Sequence, residues 1–98
     1  MITLLLFNDS AVYAYRGKDM QTGHLLYQKD SSLNRYLQTI KHTIADTALV
    51  VVIKPEIRAT YQNTVSTLNQ MAGNDIKRYV LNKITAEEQT FIDRLRKG

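Results

Sequence analysis

Ninety-eight residues, 44% of them apolar and 22% charged, describe one ordinary globular domain over residues 1–98, with material for a single modest core. The absence of cysteine rules out a disulfide, a thiolate zinc site and a cysteine nucleophile. A net charge of +4 permits an anionic partner, but the cations are scattered along the chain and solubility alone accounts for them.

Ile2 to Phe7 is nearly all apolar and reads as a strand. Asn8-Asp9-Ser10 is a turn cluster of side chains that bond their own backbone. Ala11 to Tyr15 alternates and completes a β-hairpin. Tyr13 and Tyr15 share one face, where packing within the sheet is a more ordinary role than an aromatic platform for bases or sugars. From Arg16 to Lys29 there is no period, and Gly17 and Gly23 break the pattern. His24 to Tyr27 fits a short strand at the sheet edge, and His24 has no acidic or histidine partner at useful spacing. Asp30-Ser31-Ser32 supplies N-cap oxygens for a helix carrying Leu33, Tyr36, Leu37, Ile40 and Ile44 on one stripe. Its outer face holds Asn34, Arg35, Gln38 and Lys41, with a solitary His42 nearby.

Ala48 to Ile53 is an unbroken apolar run rich in valine, which fits a strand buried on both faces. Pro55 lacks an N–H and ends it. Lys54, Glu56 and Arg58 cluster in the bend that follows and read as a surface ion pair. Tyr61, Val65, Leu68 and Ala72 are spaced as one stripe of a second helix, and Gly73-Asn74 is the expected left-handed stop. Ile76 to Leu81 reads as a last strand, with Lys77 and Arg78 giving it a solvated margin. Strand, helix, strand in succession favours parallel pairing through a right-handed crossover. Thr85-Ala86-Glu87-Glu88 is a capping box that opens a final helix with Phe91, Ile92 and Leu95 inward and Arg94, Arg96 and Lys97 at its end.

The expected architecture is therefore α+β, in the order β-β-α-β-α-β-α. A mixed sheet of four or five strands has its helices packed on one face, burying Leu33, Tyr36, Leu37, Ile40, Val65 and Leu68 against Val50, Val52 and Ile53. No phosphate loop, dinucleotide fingerprint, H-E-x-x-H or G-x-S-x-G motif occurs. The expectation is a domain without catalytic residues, metal or cofactor.

The stretch VVVIKPEIRATYQNTVSTLNQMAGNDIKRYVL resembles the core of the ExbD/TolR biopolymer-transport proteins in their periplasmic domain. Ile53, Tyr61, Val65, Leu68, Gly73 and Ile76 fall on that family's pattern, and Glu56 stands where many members carry an aspartate. The opening hairpin and the closing TAEEQTFI are similar to the Bacteroidetes-type variety, so the likeness covers nearly the whole chain. Order and spacing carry it, and no single residue is diagnostic.

The resemblance implies a subunit of a proton-driven inner-membrane motor, anchored by one transmembrane helix with this domain in the periplasm. Neither a signal peptide nor a run of about 20 apolar residues is present. The expected anchor and its proton-carrying aspartate thus lie upstream of Met1. The implied partners are an ExbB-like channel protein, a TonB-like protein and a second copy in a homodimer. In the TolR-like branch, which works with the Tol–Pal system, peptidoglycan is a further partner. The expected docking and dimer edge is Ile76, Lys77, Arg78, Tyr79, Val80 and Leu81. From another class, a small RNA-binding domain is the alternative. The strands lack a glycine-aromatic RNA-binding motif and the basic residues form no stripe, so nucleic acid is not the expected partner.

Overall fold

β1 (Ile2–Phe7) forms the middle of the sheet because both of its faces are apolar, and all six of its residues are buried. The computed structural model describes residues 1–45 and 47–97. β2 (Ala11–Arg16) returns antiparallel to β1 through a tight turn in which Asn8 takes φ 56°. A short 3₁₀ turn over Met20–Thr22 leads to β3 (His24–Tyr27), which pairs antiparallel with β2. Helix α1 (Ser32–Thr43) follows, then β4 (Val51–Pro55), α2 (Tyr61–Gly73), β5 (Tyr79–Leu81) and α3 (Ala86–Lys97). β4 runs parallel to β1, and β5 parallel to β4. The result is one mixed five-stranded sheet in the order β3-β2-β1-β4-β5. The fold is α+β as read from the sequence, with the fifth strand at His24–Tyr27 and the parallel β4/β5 pair also as read. Among the described residues no helix is long and apolar enough to cross a membrane.

Strand alternation divides the sheet into two faces. Ile2, Leu4, Leu6, Val12, Ala14, Leu26, Val51 and Ile53 share one core with Leu33, Leu37, Ile40 and Met71 of α1 and α2. Leu5, Phe7, Ala11, Tyr13 and Tyr15 form a second core closed by Ile92 of α3. The expectation of helices on one face holds for α1 and α2, while α3 lies on the opposite face. Because β1 is apolar on both faces except at Thr3, its sequence does not say that one face needs a separate cover.

Two packing details differ from expectation. On β4, Val51 and Ile53 face α1 and α2, and Val50 precedes the strand. Val52 is buried at a position of opposite parity, so Val50, Val52 and Ile53 never formed one face. On α2, the buried stripe is Asn63, Thr67 and Met71. Tyr61 is 84% exposed, and Val65 and Leu68 are only half-buried. Two polar residues displace the apolar stripe because the helix has backbone to satisfy. Asn63 donates from Nδ2 to the carbonyls of Phe7 (3.2 Å) and Ala11 (3.0 Å) across the β1–β2 turn, and its Oδ1 accepts from Gln28 (3.1 Å).

The helix stop also differs. Gly73 remains helical with open space around its Cα, and Asp75 takes the left-handed conformation at φ 55°. At α1, Ser31 sits at φ 65° without capping through its side chain, and Asp30 accepts the Ser32 amide instead (3.0 Å). The capping box of α3 is as read: the Glu88 amide donates to Thr85 Oγ1 (3.1 Å) and the Thr85 amide to Glu88 Oε1 (2.8 Å).

Candidate functional site

β5 is the sheet's second outer strand; β3 also exposes Leu25 and Tyr27, but among the described strands β5 alone has no buried residue. Tyr79, Val80 and Leu81 are 40%, 50% and 54% exposed. The sequence reading began the strand at Ile76, but only Tyr79–Leu81 pair with β4. Ile76 is buried in the core below α1 and α2, and its amide bonds the Met71 carbonyl (2.9 Å), so it anchors the connector instead of extending the edge.

The ladder shows which backbone groups of β5 remain available. The Val51 amide donates to the Arg78 carbonyl (3.0 Å), and the Asn82 amide donates to the Ile53 carbonyl (2.9 Å). Peptide groups alternate sides along a strand, so Arg78, Val80 and Asn82 face β4. Tyr79 and Leu81 therefore turn their N–H and C=O groups outward, where no further strand follows among the described residues. An outward ladder beside exposed apolar side chains is the geometry that accepts an added strand.

At the entrance to β5, Lys41, Lys77 and Arg78 surround a recess of about 230 Å³ floored by Leu49 and Ile76, with Thr47 on its wall. Arg78 donates from a guanidinium nitrogen to the Thr47 carbonyl (2.8 Å), and Lys41 Nζ donates to the Asp75 carbonyl (2.8 Å). The Thr47 carbonyl fixes the Arg78 side chain without cancelling its charge. Among the described residues Lys77 and Arg78 form no ion pair. The margin expected from Lys77 and Arg78 is therefore present, as a basic end ahead of an apolar strand.

The charged bend after β4 is built differently from expectation. Lys54 and Glu56 do not pair with each other at the surface. By alternation both point to the α3 side of the sheet. Lys54 Nζ lies 3.0 Å from both carboxylate oxygens of Glu88, while Glu56 is 2% exposed and pairs with Arg96. Glu56 also accepts from Gln89 Nε2 (3.0 Å) and the Arg58 amide (3.0 Å). Glu88 further accepts from the Tyr15 hydroxyl. Burial alone would raise the Glu88 carboxyl, but the hydrogen bonds from Tyr15, the Thr85 amide and Lys54 outweigh it and hold the group below the usual carboxylate range. This network locks α3 to the sheet. Of it, the sequence announced only the capping box; the acidic pair at a helix start and the basic run at its end are too common to specify partners on another element.

The remaining motif residues serve the scaffold or the surface. Ile53 is fully buried in the α1/α2 core. Tyr61 opens α2 exposed to solvent, and Ile57 in the preceding bend is 89% exposed. Tyr13 and Tyr15 are buried, Tyr13 stacking at a tilt on Phe91 with ring centroids 4.8 Å apart. Among the described residues no three His, Asp or Glu side chains stand together as a metal site. The chain matches no protein-family model, no curated protein and no solved structure.

Proposed function

We propose that this chain is the periplasmic domain of an ExbD-like subunit of a proton-driven inner-membrane motor, and that it acts without catalysis by capturing an extended segment on its β5 edge. The observation that carries the docking part is the outward ladder of Tyr79 and Leu81 beside three exposed apolar side chains. The family part rests on the resemblance of the β4–α2–β5 stretch, whose parallel strand–helix–strand geometry is compatible with it. In this reading the membrane helix and its proton-carrying aspartate belong to a preceding segment, an ExbB-like channel holds that helix, and a TonB-like protein or a second copy supplies the added strand. The TolR-like branch would use the same edge within the Tol–Pal system.

The test is site-specific photocrosslinking from Val80 in the native membrane protein. The expected product is an adduct with a TonB-like chain or a second copy. Leu81→Pro should abolish it, because proline removes an outward N–H while the inward bonds of Arg78 and Asn82 remain. An adduct unaffected by Leu81→Pro, or none at all, defeats the docking reading. An encoding frame without a hydrophobic span carrying an acidic residue defeats the motor assignment.

A further inference from the structure

The edge has a direction. Its N-terminal end is basic, with Lys77 and Arg78 beside the recess, and its paired portion is apolar. Beyond it stand Asn82 and Lys83, both exposed.

This pattern discriminates between the two possible sources of an added strand. A two-fold axis through Val80 would bring in a second copy antiparallel, so that Tyr79 faces Leu81 of the other copy and all three β5 residues are used. The same register places Lys77 opposite Lys83 of the other copy, and it does so twice. Like charges directly opposed across a ladder are destabilising. An extended segment from a different chain has no such constraint. Antiparallel pairing, the more stable form, places its C-terminal end at the recess.

We propose that the β5 edge selects an extended segment of a different chain in which alternating apolar residues are followed by carboxylates, and that those carboxylates seat at Lys77 and Arg78 in the recess that Lys41 also lines. The inference rests on the docking reading above and adds to it the partner's chemistry and direction. The apolar residues cover Tyr79, Val80 and Leu81, and their backbone completes the outward ladder. Arg78, already positioned by the Thr47 carbonyl, presents its remaining guanidinium donors to a carboxylate, for which that planar fork is suited.

The experiment titrates the isotopically labelled 98-residue chain with two synthetic peptides. Each carries an alternating Val-Thr run, one ending in a Glu pair and the other in a Lys pair. The expected result is perturbation of the Tyr79, Val80 and Leu81 amides, with the Glu peptide binding about fivefold more tightly at low salt, as two solvent-exposed charge pairs allow. The double variant Lys77→Glu with Arg78→Glu should invert that preference, and salt should erase it in both proteins. Equal binding of both peptides at β5 overturns the charge selection and leaves the docking reading standing. Binding of neither, together with no crosslink from Val80, removes the docking reading itself. A dimer in sedimentation that Leu81→Pro dissociates would overturn the choice of a different chain in favour of a second copy.

Discussion

The Tyr15 hydroxyl donates to the Glu88 carboxylate, joining β2 to α3 across 73 positions of sequence. The same carboxylate caps the start of α3 and neutralises Lys54. One side chain thus sets where the helix begins and where it lies. Replacing it should cost more than a cap alone. Glu88→Gln keeps the shape and some acceptor capacity but leaves Lys54 without a counter-charge in a largely enclosed site. The expected loss is about 2–3 kcal/mol, below the figure for a fully buried pair because Lys54 retains some contact with water. Denaturant unfolding should show a lower midpoint with an unchanged slope.

The same group makes acid stability predictable in sign. The folded Glu88 carboxyl titrates below its unfolded counterpart, so its contribution is present above the unfolded value and is lost as the pH falls through the folded one. Wild-type stability should therefore drop on the acid side of the ordinary carboxylate range. In Glu88→Gln that part of the drop should be missing, and the two curves should converge at low pH. Parallel curves in thermal melts across that range would contradict the assignment.

At the alkaline end Tyr15 governs. Burial first, and then the adjacent Glu88 carboxylate, push its phenol up to about 12, against a smaller opposing contribution from the Thr3 hydroxyl. A raised folded value means that the stabilisation is complete below the unfolded pKa of 10.0 and is lost as pH rises toward about 12. Burial also raises Tyr13 and Tyr36, so among the six tyrosines three should ionise late in an ultraviolet titration of the folded chain, and Tyr15→Phe should remove the latest part of that rise. Tyr15→Phe should also lower stability at neutral pH by about 1–2 kcal/mol, since the Glu88 carboxylate loses a donor.

Asn63 performs a comparable task on the opposite face. Its amide bridges the Phe7 and Ala11 carbonyls and so ties α2 to the β1–β2 turn. Asn63→Ala leaves those carbonyls and Gln28 short of partners in a buried site, and should cost about 2–3 kcal/mol. Asn63→Asp should be worse, because its carboxylate brings acceptors where the two carbonyls require donors. Amide exchange in the β1–β2 turn should accelerate in both variants ahead of the central strands.

Much of the scaffold was legible because it depends on local pattern. The hairpin, the short outer strand at His24–Tyr27, three helices and the capping box all follow from spacing within one element. What escaped depends on a partner element. Asn63 and Thr67 look solvent-facing until the Phe7 and Ala11 carbonyls and Gln28 are placed beside them. Lys54 and Glu56 look like mutual partners until α3 supplies Glu88 and Arg96 on the same side. At the candidate site, the apolar strand and its basic margin were legible, whereas the short extent of β5 and the recess were not. Ile76 is as apolar as Leu81, and only the turn at Asp75 and the Met71 contact turn it inward.

Gly23 tests how the opposite outer strand is held. A Cβ built there would stand 2.5 Å from the Ala14 carbonyl oxygen and 2.6 Å from the Tyr13 ring, distances that require backbone to move. The position is close-packed because the Gly23 amide donates to the Tyr13 hydroxyl (3.1 Å), which in turn donates to the Met20 carbonyl (2.5 Å). The Tyr13 ring itself lies under Phe91 of α3. Gly23→Ala should therefore both displace β3 from β2 and disturb the seat of α3. A loss of about 1–3 kcal/mol is expected, as for other overpacked sites. The discriminating measurement is amide exchange: protection should fall over His24–Tyr27 and in α3 while β4 and β5 stay protected relative to each other as in the parent chain. A uniform loss of protection would mean that β3 and α3 are not coupled through Tyr13.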